Sequence, residues 1–310
     1  MEMEITKEMF ERVPDSEKDL NTIVRPSETY WQDAWRRLKK NKLAMFGLYF
    51  VIFITLLAIF GPPLFKYFRN IDYSTQDLTK SNLGPNKQFW FGTDLFGRDI
   101  FVRILYGARI SLVVGYAASI LNLVIGVLYG GISGYFGGKV DLVMMRIVDI
   151  LYSIPMMIYV ILLMLIFKPG LTSILIALAI AYWLSMARIV RAQILALKQQ
   201  EFVLAARTLG ASNSRILLRH LVPNSMGPII VTLTLSVPSA IFTESFLSFI
   251  GLGVSAPRAS WGTLASEALE GFLLYPYQLL FPALAISLTI LAFNFLGDGL
   301  RDALDPKMRK

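Results

Sequence analysis

Cysteine is absent from the 310 residues, and histidine occurs once, as His220. The first absence removes disulfide frameworks and thiolate metal sites, and the second removes a histidine-rich metal centre. A membrane-embedded hydrolase would need a nucleophile with a base in reach, and no serine or cysteine motif surrounds His220. Charge is scarce too, at 17% of residues where a soluble domain carries roughly 25%. Residues 1–41 lack the short apolar core and small-residue cleavage site of a signal peptide, so none is expected.

Apolar residues fill the space left by these absences, at 55% of the chain. A globule of this size buries roughly three quarters of its extended surface, so the surplus must face something other than water, and the bilayer is the candidate. The first uncharged run, Leu43 to Gly61, is long enough at about 1.5 Å per residue to cross a core of about 30 Å. Similar runs at Ile110–Gly131, Leu142–Phe167, Leu171–Ala187, Met226–Gly251 and Gln278–Gly297 bring the expected total to six transmembrane helices in an all-α, polytopic membrane protein. With the N-terminus placed in the cytoplasm, one side holds 21 of the 30 lysines and arginines and the other holds 9. The positive-inside rule then puts both termini in the cytoplasm and the 62–109 segment outside.

The expected organisation is a cytoplasmic N-terminal segment (1–41), a first span with an external segment (42–109), a five-helix core (110–298) and a cytoplasmic tail (299–310). Trp31, Trp35 and Leu38 fall at helical spacing upstream of the first span, as in an amphipathic helix lying in the interface. Within and after the second span, Gly126, Gly130, Gly134 and Gly138 recur every fourth residue, a pattern that permits close helix packing. The same stretch is no phosphate loop, because Ser133 stands where the first glycine is needed and Val140 follows Lys139. This chain is therefore not expected to bind ATP. Arg146 and Asp149 sit three residues apart and can pair on one helix face near Asp141. Glu244 is the carboxylate set deepest in a span. Two readings stand for it: a functional group that faces water or a partner, or a structural one, hydrogen-bonded to a neighbouring helix or held as a neutral acid.

The loop between the fourth and fifth spans, within 188–225, is the most informative segment. Phe202, Ala205, Ala206 and Leu209 lie at i, i+3, i+4 and i+7 on a helix too short to span a membrane. Gly210 suits a left-handed helix stop, Ser212 can cap a second short helix, and Pro223 is expected to end it. The predicted product is a helix–turn–helix finger.

Here the chain resembles the permease subunits of ATP-binding-cassette (ABC) importers. Ala205, Ala206, Gly210 and Pro223 match the spacing of their coupling signature, while Leu204 replaces its glutamate, His220 its isoleucine and Val222 its leucine. Further stretches widen the likeness: FGTDLFGRDIFVRILYGARISL (Phe91–Leu112), RHLVPN (Arg219–Asn224), ESFLSFIGLGV (Glu244–Val254), SWGTL (Ser260–Leu264) and the C-terminal LGDGLRDALDPKMRK. These are similar to the C-type permease of oligopeptide and dipeptide importers, and the likeness runs from about residue 36 to the end. The resemblance implies the type I ABC importer permease fold in a bacterial cell membrane. It also implies a second related permease, two cytoplasmic ATPase subunits that hold ATP and magnesium, and an extracellular binding protein that delivers the peptide. This chain itself would hold no cofactor or metal and perform no catalysis. Its residues meeting the ATPase would be Phe202, Leu204, Ala205, Ala206, Leu209, Gly210 and Pro223, with Glu244 a pathway candidate. The same architecture serving nickel, glutathione or another small solute is the alternative. An ion-coupled transporter is disfavoured by the lack of an acidic or histidine relay at mid-membrane.

Overall fold

The computed structural model describes residues 29–305 apart from 168, 169 and 255. Expectations for residues 1–28 and for the last five residues of the tail lie outside that range. The order along the chain is α1 (Tyr30–Lys40), α2 (Lys42–Arg69), α3 (Ile100–Phe136), α4 (Gly138–Ser153), α5 (Met156–Phe167), α6 (Leu171–Leu197), α7 (Glu201–Thr208), α8 (Asn213–Arg215), α9 (Val222–Asn224), α10 (Met226–Leu247), α11 (Trp261–Glu267) and α12 (Tyr277–Leu304). Among the described residues no strand forms; Thr93 and Asp99 make an isolated bridge.

Among the described residues, five helical segments are long and apolar enough to cross a membrane: α2, α3, α6, α10 with the π-helical turn that follows it, and α12. The expected third span is a bent pair. Ile154 is extended (φ −84°, ψ 124°), and α4 and α5 meet at 79°. Pro155 explains the break, since it lacks a donor and pushes the residue before it out of the helical region. Counted as one broken span, the pair makes the sixth. The helices also overrun their expected limits. α2 continues past Gly61 to Arg69 and α3 starts at Ile100, so the connecting loop is 70–99 rather than 62–109.

α1 opens with a capping box, Thr29 Oγ1 accepting from the Gln32 N–H and Gln32 Oε1 from the Thr29 N–H. Ala34 and Leu38 are buried, while Trp31 and Trp35 are exposed. The Tyr30 hydroxyl donates to the Leu304 carbonyl, so α1 docks where α12 ends. α3 and α6 approach almost backbone to backbone. A Cβ on Gly126 would lie 2.5 Å from Met186 Cβ, one on Gly130 2.2 Å from the Ala187 carbonyl oxygen, and one on Gly134 2.9 Å from that of Arg191. Gly138 does a different job from these three: at φ +52° it helps form the turn into α4.

At the opposite end from α1, the 70–99 loop is tied down. Gln278 Nε2 donates to Asn82 Oδ1 and the Thr93 carbonyl, and Phe91 stacks on Phe281 at 3.9 Å. An ion cluster with buried arginines and an exposed Glu267 joins this loop to α11. Arg103 reaches Asp94 at 2.6 Å and Glu267 at 2.7 Å, while Arg98 reaches Asp94 at 2.7 Å and Glu267 at 3.0 Å. Both arginines are almost wholly buried. Breaking a buried pair from one side leaves a charge without compensation, which costs about 3–5 kcal/mol. Arg103→Leu should therefore lower the thermal unfolding midpoint of the detergent-purified chain by several degrees or more. Lys66→Leu, which removes an exposed pair with Asp72, should leave that midpoint unchanged.

Candidate functional site

The finger begins where α6 ends. α7 stops in a Schellman arrangement: Gly210 has φ +78°, its N–H donates to the Arg207 carbonyl, and the Ala211 N–H donates to that of Ala206. Gly210 has open space around it, so its backbone and not crowding demands glycine. Ser212 caps the next turn by accepting from the Arg215 N–H.

Pro223 does not end this second helix. A π-helical stretch, Ile216–Leu221, precedes it, and the chain continues through α9 into α10. The widened turn accommodates a ring that would otherwise collide with the carbonyl four residues back.

The finger has a buried root and an apolar tip. Val203, Ile216 and Leu221 are fully buried and pack with Tyr135 of α3 and Met186, Val190 and Ile194 of α6. Two hydrogen bonds hold the root from the side, Tyr135 Oη to Asn213 Oδ1 at 2.7 Å and Lys198 Nζ to the Gly134 carbonyl at 2.8 Å. At the tip Phe202, Leu204 and Leu209 are 40%, 51% and 86% exposed, and Ala205 is exposed beside them. The predicted apolar face is therefore split. Ala206 turns inward onto the root cluster with Ala211, and Leu204, off the predicted stripe, joins the outer surface. Arg207, Arg215 and Arg219 are exposed along the same finger.

Residues 123–310 match the family described as the binding-protein-dependent transport system inner membrane component. Residues 29–85 match the N-terminal transmembrane domain of oligopeptide transport permease C. The chain is 54% identical over 306 residues to the oligopeptide transport system permease protein OppC of Bacillus subtilis, covering 99% of each. This chain belongs to the binding-protein-dependent transport permeases. It is also 51% identical to the dipeptide transport system permease protein DppC of the same organism, over 99% of this chain and 95% of that one. Its fold is the type I importer permease fold, shared with a chain of the inward-facing methionine ABC transporter MetNI. That likeness has a TM-score of 0.56 at 18% identity and covers 66% of this chain and 98% of the other.

In this permease Glu244 is enclosed by protein. It is fully buried, accepts from Ser111 Oγ at 2.9 Å and Ser248 Oγ at 2.7 Å, and lies 3.5 Å from Ser245 Oγ. Ser260 Oγ donates to Ser248 Oγ, and the Trp261 N–H to Ser111 Oγ. The carboxyl thus joins α3, α10 and the start of α11, and the expectation that it faces the pathway gives way to the structural one. Only tertiary packing could gather these serines, which are scattered between residues 111 and 260.

The expected Arg146–Asp149 pair is replaced by contacts across helices. Asp149 pairs with Arg188 at 2.7 Å and Asp141 with Arg191, while Arg146 is exposed and makes no ion pair among the described residues. The bonds from α4 to α6 stiffen the half of the broken span nearer the finger. Sequence reading missed them because intrahelical spacing favours local partners. It also missed α11, whose Trp261 is fully buried and donates its indole N–H to the Ile104 carbonyl at 3.0 Å.

Glu244→Ala leaves several buried hydroxyls without their acceptor, at about 1–3 kcal/mol for such a group. It should lower the unfolding midpoint in detergent, whereas Glu244→Gln, which keeps an acceptor oxygen, should retain most of the stability. Equal midpoints for the two variants would rule out the serine cage as a support.

Proposed function

We propose that this chain is one of two permease subunits of an ATP-driven importer that takes up oligopeptides or dipeptides delivered by an extracellular binding protein. The finger is its coupling element. The observation that carries this reading is the tip itself, an apolar surface of Phe202, Leu204, Ala205 and Leu209 left in the open on a buried and hydrogen-bonded root. Exposed apolar patches of this kind mark interaction sites. Two cytoplasmic ATPase subunits, which hold ATP and magnesium, would seat on this finger and its counterpart in the second permease. The peptide specificity is supported by the names of the close relatives. The chemistry of hydrolysis belongs to the partners.

The geometry supports alternating access. A load on the tip passes through the root to α3, α6 and α10 together, because the root cluster draws on all three. Moving a two-state equilibrium from 1:99 to 99:1 needs about 5.5 kcal/mol of differential binding, which closure of an ATPase dimer can supply. The glutamate missing at Leu204 makes that contact apolar where the family signature has a charge.

The cytoplasmic side is the finger side in this reading, and it carries both described chain ends. α1 and the end of α12 lie together there, Tyr30 lying near Gly227 at the start of α10. In the cysteine-free chain, Asn86→Cys and Ser212→Cys should label with an impermeant thiol reagent from outside and inside respectively. Labelling of both from outside would reverse the topology.

Coupling is tested in reconstituted vesicles by measuring ATP hydrolysis and peptide uptake together. Leu209→Asp puts a charge into an apolar contact and should reduce both about tenfold or more, the equivalent of roughly 1.4 kcal/mol. Gly210→Val should do the same by straining the left-handed turn, and Gly210→Asn should retain more activity because asparagine tolerates that conformation. Wild-type uptake and hydrolysis in Leu209→Asp complexes at equal membrane levels would exclude the finger as the coupling element.

A further inference from the structure

Three cavities lie end to end along α10. The largest, of about 600 Å³, is bounded by α10, α6, Asn122 of α3 and the bend between α4 and α5. Towards the finger it shares Ile189, Thr232 and Leu235 with a second of about 430 Å³. Away from the finger it shares Tyr182 and Ser239 with a third of about 260 Å³. Together they form a groove that follows α10 from Gly227 to Thr243, a run of about 24 Å at about 1.5 Å per residue. An extended peptide of about seven residues has that length, at about 3.3 Å each.

The lining has a pattern. Thr232, Ser236, Ser239 and Thr243 stand at intervals of four, three and four, so they form one hydroxyl stripe on α10. Thr232 and Ser239 direct their proton back to their own helix, to the carbonyls of Pro228 and Leu235, whereas Ser236 Oγ lies within hydrogen-bond distance of the Leu233 carbonyl and of Ser119 Oγ, and Thr243 Oγ1 of Tyr182 Oη, so Thr232 and Ser239 are the rungs open to the groove. A hydroxyl has one proton and two lone pairs, so such an oxygen keeps acceptor capacity. Across the groove, Asn122 is 3% exposed and its Oδ1 has no hydrogen-bond partner. Among the described residues no charged side chain lines the central or the far cavity. Arg301 and Asp305 appear only at the end nearest the finger.

We propose that this groove is the permease's wall of the peptide pathway, an uncharged ladder of acceptors that hydrogen-bonds the N–H groups of an extended main chain and is indifferent to side-chain charge. The proposal rests on the importer reading and deepens it. Every peptide presents main-chain N–H groups whatever its sequence, so an acceptor ladder serves all of them. A fixed charge in a water-poor groove would instead trap one class of peptide and repel another. Ser239 and Phe242 are exposed on the open side, which the second permease would close.

The test uses the assembled complex in vesicles and has two arms. In the first, Ser239→Cys and Thr232→Cys are treated with small methanethiosulfonates bearing either an ammonium or a sulfonate group. Both reagents should react at similar rates at both positions, and neither should react at Leu128→Cys on an exposed apolar helix face. No reaction at Ser239→Cys means that a partner helix fills the groove, and a strong preference for one sign means that it is not neutral. Either result overturns the proposal.

In the second arm, uptake of a cationic and an anionic tripeptide is compared. Ser239→Lys should lower the cationic-to-anionic ratio about tenfold and Ser239→Asp should raise it about tenfold, while Ser239→Thr keeps the wild-type ratio. Unchanged ratios in both charged variants overturn the proposal. Should wild-type vesicles import another solute and no peptide, the peptide reading fails by itself, and the labelling arm still decides whether the groove is open and neutral.

Discussion

The packing of α3 against α6 sets the rest of this molecule, and it depends on three missing side chains. At Gly126, Gly130 and Gly134 a single methyl would meet Met186, the Ala187 carbonyl or the Arg191 carbonyl at or below 2.9 Å. In a lipid environment, burial from water cannot drive two apolar helices together, so close van der Waals approach carries the association. Once the two helices are locked, their ends near the finger become a platform. Tyr135 and the Gly134 carbonyl then reach the finger root, and Arg188 and Arg191 meet the two aspartates of α4.

That platform gives the finger its mechanical character. An isolated eight-residue helix is marginal in water, yet α7 is fixed because Val203 and Ala206 pack on the root cluster. Its end is set by Gly210, and the helix that follows passes into α10 without a hinge at Pro223. In the proposed coupling role, a push on the tip would be transmitted to a spanning helix that also lines the groove.

The polar groups inside the bundle divide into two kinds. Glu244 and its serines, and the arginine–carboxylate cluster at the far end, are bonded to one another and join elements distant in sequence. Thr232 and Ser239 on α10 are different, their protons directed to their own backbone and their oxygens to the groove. Pro155 contributes to the second kind, because the bend it creates between α4 and α5 forms one boundary of the largest cavity.

The sequence by itself determined the membrane environment, the number of apolar runs, the glycine repeat and the turn at Gly210. These are properties of composition and local spacing, which act before any long-range contact exists. Segment 202–209 was legible as amphipathic for the same reason, but which of its alanines faces outward depended on the root cluster. Partner choice also lay beyond local reading. Arg146 is nearest Asp149 in sequence, yet α6 places Arg188 and Arg191 against the acids of α4. Glu244 looked like a pathway group because the charge was visible in sequence, while Ser111 and Ser260, which surround it with Ser245 and Ser248, come from other parts of the chain. Only tertiary structure could decide whether that carboxyl met water or hydroxyls, since burial belongs to the packed set of helices and to no helix alone.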